Sequence, residues 1–407
     1  MFLLDQTRAP YDARDLTKGA GMARAVVWVL MLVAWLAGTS AMAQPVEGTQ
    51  IWRYPFAPGE KEYDLLRAVE PLADGGILAV AEVDDGDDED YLAVLFRIGA
   101  DGAPVVATEP FHFLPRWGAR IHPLADGGAI VTDDGRKIEW VSQTGTITRE
   151  TGVWKPPLSL AGDAIAVMPD GGLVVGGTQT NFGAALVRQP AVVVRLAADG
   201  SMVWRWLDPT PGWDFEACEV AALSDGGVIA YVTFALRHWP SGTGKVGSDP
   251  EGRQWLVRLT ADGEEVGRLP LPHGWNVIAL VPKPDGRILT VSEPTTFLDP
   301  AIDFHSFNVT EYDGLKEISR ATYRFRELWP DGEGGRLDVR PAGNSVIVAV
   351  SPLLPHQSRL VRVDAAGHAE VLTPRPLKGD FPRLTADGNH IITIDGPAVM
   401  RFPLPQP

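Results

Sequence analysis

The stretch "MPDGGLVVGGT", residues 168–178, is one copy of a pattern that recurs along the chain. A turn rich in Asp and Gly separates two apolar, β-branched segments, which predicts a hairpin with a two-residue turn that accepts positive φ. Related copies begin about 52 residues apart on average, at Leu72, Leu124, Met168, Leu223, Lys283, Pro341 and Thr385. A period of this length indicates a repeat architecture.

A second Gly-containing turn follows most of these hairpins. It lies between a strand such as "AVVVRL" (191–196) and a strand such as "SMVWRW" (201–206). The second turns are Asp101-Gly102, Thr144-Gly145, Asp199-Gly200, Asp262-Gly263, Asp313-Gly314 and Ala366-Gly367. Each unit is therefore predicted to be an antiparallel meander of four strands, which we name A to D from its start.

The seventh unit lacks its last strand. After its hairpin the chain supplies strand C, "AVMRF" (398–402), and then only five more residues. The missing turn and strand D occur at the other end of the sequence, as Glu47-Gly48 followed by "TQIWRYPF" (49–56). Pairing of the two ends removes an open seam, so we predict an all-β, seven-bladed β-propeller whose N-terminal strand completes the last blade. A solenoid is the main alternative, but it needs atypical capping repeats.

The repeat resembles one that is common in secreted bacterial and archaeal β-propellers. The shared pattern is a DGG hairpin, an apolar strand ending near Gly-Thr, a strand with a basic residue, an Asp-Gly turn and a Trp. The segments "MPDGGLVVGGT" (168–178) and "VVVRLAADGSMVWRWLDPTPGWDFEACEVAALSDGG" (192–227) follow it most closely. The resemblance covers residues 46–405 and implies the propeller fold.

The N-terminal residues have the order of charged, apolar and small regions that is typical of a signal peptide. Residues 22–43 carry one Arg, an apolar run over 25–38 and the triplet Ala41-Met42-Ala43. We predict cleavage after Ala43, a periplasmic or secreted product, and a propeller over residues 44–407. A membrane anchor is the alternative, although the apolar run is shorter than the roughly 20 residues of a helical span. Residues 1–21 are interpreted as a leader or an over-long start.

The chain is acidic and has one cysteine. It holds 52 Asp and Glu against 36 Lys and Arg, a formal net charge of −16. This charge disfavours nucleic acid and anionic membranes as partners. Cys218 is the only cysteine, so no disulfide forms within one chain. Stability is expected to come from packing and ring closure.

Two faces of the ring are expected to differ. The A–B and C–D connections are tight turns on one side, here called the turn face, whereas the B–C and D–A connections lie on the other side, the loop face. The loop face receives the long insertions, where binding usually occurs on a rigid scaffold. Five tryptophans fall in its D–A loops: Trp117, Trp154, Trp213, Trp275 and Trp329. They either fill gaps between blades or form an aromatic rim that stacks against a ligand.

The innermost strands and their lead-ins carry more charge than a propeller core needs. The charged and titratable residues there are Glu70, Arg120, His122, Asp163, Glu219, Asp338, Arg340, Asp380 and Arg383. They predict a polar, hydrated channel in which the charges pair across blades. Alternatively, His122, Asp163, Asp214 and Asp380 converge on a ligand or on calcium, which takes oxygen ligands in flexible geometry.

Two functions from different classes remain open. The first is an exported, non-catalytic propeller that binds a protein, glycan or small molecule through the loop face, with Trp117, Trp213, Trp275 and Trp329 as candidate contacts. The second is an enzyme at the channel mouth, either a calcium-assisted hydrolase or lactonase, or a quinone-cofactor dehydrogenase subunit. The sequence has no G-x-S-x-G, H-E-x-x-H, C-x-x-C or P-loop motif, which favours the first function.

Overall fold

The structure is a computed structural model of the 407-residue chain. It describes residues 48–53, 66–72, 74–84, 91–108, 111–112, 120–124, 126–132, 137–152, 160–161, 164–179, 190–210, 215–234, 253–272, 274–294, 305–329, 335–352, 357–373, 375–378, 380–385, 389–395 and 398–404. The predicted signal peptide and leader, residues 1–43, lie outside these ranges.

The described residues form seven antiparallel sheets, each built on a four-stranded meander, and the ring is a seven-bladed β-propeller. Six meanders use strands that follow one another in the chain, and the seventh is completed by the N-terminal strand. Blades 1 to 3 contain β2 Leu66–Pro71, β3 Ile77–Asp84, β4 Tyr91–Ile98, β5 Pro104–Ala107 and β6 Phe111–His112; β7 Arg120–Pro123, β8 Ala129–Thr132, β9 Lys137–Val141 and β10 Ile147–Gly152; and β11 Leu160–Ala161, β12 Ile165–Val167, β13 Leu173–Gln179, β14 Ala191–Leu196 and β15 Met202–Leu207.

Blades 4 to 7 follow the same order. They contain β16 Phe215–Ala222, β17 Val228–Phe234, β18 Gln254–Leu259 and β19 Glu265–Pro270; β20 Trp275–Pro282, β21 Ile288–Pro294, β22 Ser306–Asp313 and β23 Lys316–Arg324; β24 Gly335–Ala342, β25 Ser345–Pro352, β26 Gln357–Val363, β27 Ala369–Val371 and β28 Leu377–Lys378; and β29 Asp380–Leu384, β30 His390–Asp395, β31 Ala398–Pro403 and β1 Thr49–Arg53.

The N-terminal strand closes the ring as predicted. Strand β1 pairs antiparallel with β31, with Thr49 opposite Arg401 and Trp52 opposite Val399, so the last blade has the order β1-β31-β30-β29. The first and last strands of the described chain therefore share one sheet, and the seam between blades 7 and 1 is covered.

The hairpin turn of blade 3 differs in one detail from the prediction. The amide of Gly171 donates to the carbonyl of Met168 at 2.9 Å, and the amide of Met168 donates to the carbonyl of Gly172 at 2.8 Å. This loop is therefore three residues long, a turn closed by a Gly bulge, rather than the predicted two. Gly171 has φ +79°, and the Asp170 carboxylate accepts the amide of Gly172 at 3.0 Å, which fixes the bend. Blade 6 has the predicted two-residue loop, because Ala342 pairs directly with Ser345.

The hydrophobic core is divided among the blade interfaces. The described residues form seven buried clusters, and each one joins two neighbouring blades. At the seam, Trp52 of blade 7 packs with Leu66, Val69 and Phe96 of blade 1, and the Trp52 and Phe96 ring centroids are 5.1 Å apart. Each blade is thus held by its two neighbours, which is why the ring requires closure.

Helical structure is minimal in the described part of the chain. A single short helix, α1 Phe325–Leu328, follows strand D of blade 5. Within the described residues, no helix is sufficiently long and apolar to span a membrane.

Candidate functional site

A channel of about 620 Å³ runs through the centre of the ring. The innermost strand of every blade contributes to its wall, namely β2, β7, β12, β16, β20, β24 and β29. The central channel, defined by these strands, lies within the usual size range of small-molecule sites.

Blades 6, 7 and 1 join through a partly buried ion-pair network at one side of the channel, in which Arg383 is the buried member. Arg383 of blade 7 donates to the Asp338 carboxylate of blade 6, and its Nε lies 3.3 Å from Glu70 Oε2 of blade 1. Arg340 of blade 6 also approaches Glu70, at 3.6 Å. Burial by itself opposes ionisation of Asp338, but Arg383 and Arg340 outweigh it, so the pKa of Asp338 is lowered. The Asp338 carboxylate is therefore charged near pH 7. The pairing across blades predicted from the sequence is confirmed by the contacts of Arg383 and Arg340.

His122 lies beside this network on the inner strand of blade 2. Burial, together with the positive charges of Arg120 and Arg340, lowers the pKa of His122 to about 4. The imidazole is therefore neutral near pH 7. Its Nε2 is inaccessible to bulk solvent and has no hydrogen-bond partner among the described residues. A buried polar atom without a partner costs free energy, so this atom is suited to form a hydrogen bond with a bound ligand.

Arg120 occupies the same inner strand two residues earlier, so its side chain and that of His122 lie on one face of β7. Arg120 is exposed within the channel and forms no hydrogen bond or ion pair in the described part of the structure. Arg340 is also partly exposed, and its buried Nε lies 3.8 Å from Asp338 Oδ1, an ion-pair distance too long for a hydrogen bond. Arg120 thus retains donors in the channel, whereas Arg340 is shared between two carboxylates.

The opposite side of the channel is mainly apolar. Blades 3, 4 and 5 contribute backbone and side chains that include Ile165, Val167, Ala222, Ile278, Ala279 and Pro282. Glu219 is the charged side chain among the described channel residues of these blades. The channel is therefore amphipathic, with charge concentrated on the arc of blades 6, 7, 1 and 2.

The described loop-face tryptophans have different environments. Trp329 is 2% exposed, follows α1, and donates from Nε1 to the Thr373 carbonyl at 3.3 Å. It belongs to the buried cluster between blades 5 and 6, so it fills the gap between blades and is not part of an exposed aromatic rim. Trp275 begins the inner strand of blade 5 opposite Pro294 and is partly exposed. Of these two side chains, Trp275 alone is accessible to a loop-face partner.

The other predicted site residues are not brought together with His122 by the described structure. Trp117, Trp213, Asp163 and Asp214 lie outside the described residues, and so does the side chain of Asp380. Within the described ranges, no group of three or more His, Cys, Asp or Glu side chains is arranged to hold a metal ion. The calcium site stays a prediction.

Three arginines of the channel were not predicted as ligand contacts. Sequence reasoning placed Arg120, Arg340 and Arg383 on inner strands but assigned them only to pairing between blades. Their positions in the repeat indicated this location, since each lies on an innermost strand within a few residues of an A–B hairpin. The pattern could not show which of the three retains free donors.

Comparison with known proteins supports the fold and nothing more specific. No protein-family model matches the chain, and no curated protein sequence matches it. Selenomethionine-substituted virginiamycin B lyase from Staphylococcus aureus is similar in structure, with 12% identity over 85% of this chain and 96% of that chain and a TM-score of 0.51. BamB from Moraxella catarrhalis has 13% identity over 89% and 99% of the two chains, at a TM-score of 0.43. An oligogalacturonate lyase in complex with manganese has 12% identity over 89% and 99%, at 0.48.

Proposed function

We propose that this protein is an exported, non-catalytic β-propeller that binds a small molecule in its central channel, with entry from the loop face. The observation that carries the proposal is the amphipathic channel of about 620 Å³ with unpartnered polar atoms at its charged side. Small-molecule sites are typically concave and mostly apolar, with a few polar groups that fix orientation. A channel that served only to close the ring would not need donors without partners.

A channel-filling substitution tests this proposal. Ala166→Trp places a large side chain in the channel, whereas Ala369→Trp adds the same side chain on an exposed outer strand. The full chain, expressed with its own export segment, is purified under non-denaturing conditions and analysed by native mass spectrometry.

We expect a bound small molecule of roughly a few hundred daltons in the wild type and in Ala369→Trp, and its loss in Ala166→Trp. Retention of that molecule in Ala166→Trp would place it outside the channel. If no small molecule co-purifies and no compound of a metabolite library raises the melting temperature, the proposed function is wrong.

Export rests on the order of regions in residues 22–43 and on the acidic composition. We propose that the mature chain begins at Gln44. Intact mass measurement of the product in the periplasm or medium checks this directly. A product that retains residues 22–43 in the membrane fraction would favour the anchor instead.

The enzyme alternative depends on residues that the structure does not describe. Asp163 and Asp214, two of its proposed calcium ligands, lie in such segments. Propellers of known structure include lyases, as the comparisons show, so the fold does not separate the two functions. A saturable rise in melting temperature with calcium, not reproduced by magnesium, would support a cation site and hence the enzyme.

A further inference from the structure

We propose that the central channel recognises an organic carboxylate, with the carboxylate held by Arg120, Arg340 and His122 and the apolar body of the ligand against blades 3 to 5. This inference rests on the proposed function, because it assigns a chemical class to the ligand of that site.

The charge balance of the channel lining favours a ligand with a single negative charge. The described residues that line the channel include four arginines, Arg67, Arg120, Arg340 and Arg383, and three carboxylates, Glu70, Glu219 and Asp338. His122 is neutral near pH 7. The lining therefore has one cation in excess, although the chain as a whole is strongly acidic.

Among these arginines, Arg120 is the one whose N–H donors are available to a ligand. Arg383 is committed to Asp338 and Glu70. Arg120, by contrast, is exposed in the channel without a hydrogen bond or ion pair to any described residue. A guanidinium binds a carboxylate with two parallel N–H donors, which is the arrangement that an unpaired arginine offers best.

Two further polar atoms reinforce the same position. The buried Nε2 of His122 has no hydrogen-bond partner among the described atoms, and the buried Nε of Arg340 has only a long ion pair with Asp338, at 3.8 Å. Arg120 and Arg340 both lie close enough to His122 for their charges to lower its pKa. A carboxylate between these three side chains would satisfy polar atoms that are otherwise left without partners.

The apolar side of the channel indicates that the rest of the ligand is apolar. Ile165, Ala222, Ile278 and Ala279 line the channel opposite the charged arc. A small inorganic anion would leave this surface in contact with water, whereas an aliphatic or aromatic carboxylate would cover it. A ligand with several negative charges would meet Glu70 and Asp338 without enough compensating cations.

The test uses three probes that share one body, hexanoate, hexanamide and hexylamine. Binding to the full chain is measured by isothermal titration calorimetry at pH 7 and by the rise in melting temperature. We expect hexanoate to bind at least 10-fold more tightly than either analogue. Arg120→Met should weaken hexanoate binding by 10-fold or more, and Arg120→Lys by less.

A matched control separates this effect from a loss of general charge. Arg205→Met removes an arginine from an exposed position on β15, outside the channel, and we expect unchanged affinity for hexanoate. Arg120 forms no hydrogen bond or ion pair with a described residue and acts on Asp338 only through its charge. Arg120→Met should therefore change the melting temperature of the unliganded protein by only a few degrees, which checks that the variant is folded.

Each outcome bears on the inference. Equal binding of the three probes, insensitive to Arg120→Met but abolished by Ala166→Trp, would overturn the carboxylate assignment and leave the proposed function standing. Hexanoate binding that survives Ala166→Trp would place the site elsewhere and contradict both. The assignment would also be overturned if a library compound binds but hexanoate does not, even at a concentration 10-fold higher than that compound requires.

Discussion

Gly263 shows how a single residue governs the contact between two blades. It lies in the C–D turn of blade 4 with φ +82°, and a Cβ at this position would be 2.6 Å from Trp204 Cδ2 of blade 3. The Trp204 indole also donates to the carbonyl of the neighbouring Ala261 at 2.7 Å. The turn therefore needs glycine for two reasons, its backbone conformation and the close approach of the indole.

A pair of alanine substitutions separates these two reasons. Gly286 has φ +83°, and a Cβ at that position would meet nothing within 4 Å, so Gly286→Ala introduces backbone strain alone. We expect Gly286→Ala to lower the free energy of unfolding by about 1 kcal/mol and Gly263→Ala to lower it by about 2 kcal/mol more, because the indole must move. Urea denaturation of both variants measures the difference, and equal losses would contradict a steric role for Trp204.

His122 makes a second prediction at this scale, concerning pH. Its pKa is about 4 in the folded protein and near the ordinary 6.5 in the unfolded chain. The unfolded state therefore binds more protons between these values, so stability falls as the pH decreases from 6.5 toward 4. We expect wild type to lose about 2 kcal/mol more than His122→Gln between pH 7 and pH 4.5.

Denaturation of the two proteins at both pH values gives this comparison. Carboxylates titrate in both, so their contribution cancels in the difference. Parallel stability curves for wild type and His122→Gln would show that the imidazole is protonated as readily in the folded state as in the unfolded chain.

Strand β1 is the element on which ring closure depends. Trp52 is 9% exposed and packs with residues of both blade 7 and blade 1. Trp206 is its counterpart on strand D of blade 3, is 7% exposed, and packs at the interface with blade 4. The two positions have comparable burial, but only Trp52 lies at the seam between the ends of the chain.

Trp52→Ala and Trp206→Ala are both expected to cost about 3–5 kcal/mol of unfolding free energy. Their local effects should differ. Hydrogen exchange should increase at β1 and β31 in Trp52→Ala, and at β14 and β15 in Trp206→Ala. If Trp52→Ala leaves the protection of β31 at the wild-type level, β1 does not hold the seam.

At the scale of the whole molecule, Arg383 connects three blades through one side chain. It contacts Asp338 and Glu70, which are 45 and 313 residues away in sequence. Removal of the guanidinium leaves the carboxylates of Asp338 and Glu70 with Arg340 and Arg120 as the cations near them. Breaking a buried ion pair from one side usually costs more than the pair contributes.

We expect Arg383→Met to lower the free energy of unfolding by about 3–5 kcal/mol and the double variant Arg383→Met, Asp338→Asn to recover part of that loss. Chemical denaturation of the single and double variants tests this. A single variant within about 0.5 kcal/mol of wild type would show that water in the channel replaces the guanidinium.

Much of the fold follows from local patterns. The hairpins, the C–D turns and the assignment of strand D of the last blade to residues 49–56 all follow from turn glycines and alternating apolar residues, and the structure forms that strand over Thr49–Arg53. These features depend on neighbours within one repeat, and the sequence displays them directly. The length of the hairpin loop was less predictable, because a two-residue and a three-residue Gly turn share the same Asp-Gly signature.

The sequence by itself determined the number of blades, the ring and its closure, since a period-two pattern and positive-φ turns are encoded residue by residue. The tertiary structure alone decided the chemistry of the centre. Glu70, His122, Arg340 and Arg383 come from four blades, and their distances depend on how the seven blades pack around the axis. The same packing placed Trp329 between blades and left Arg120 with free donors, and neither outcome is written in any single repeat.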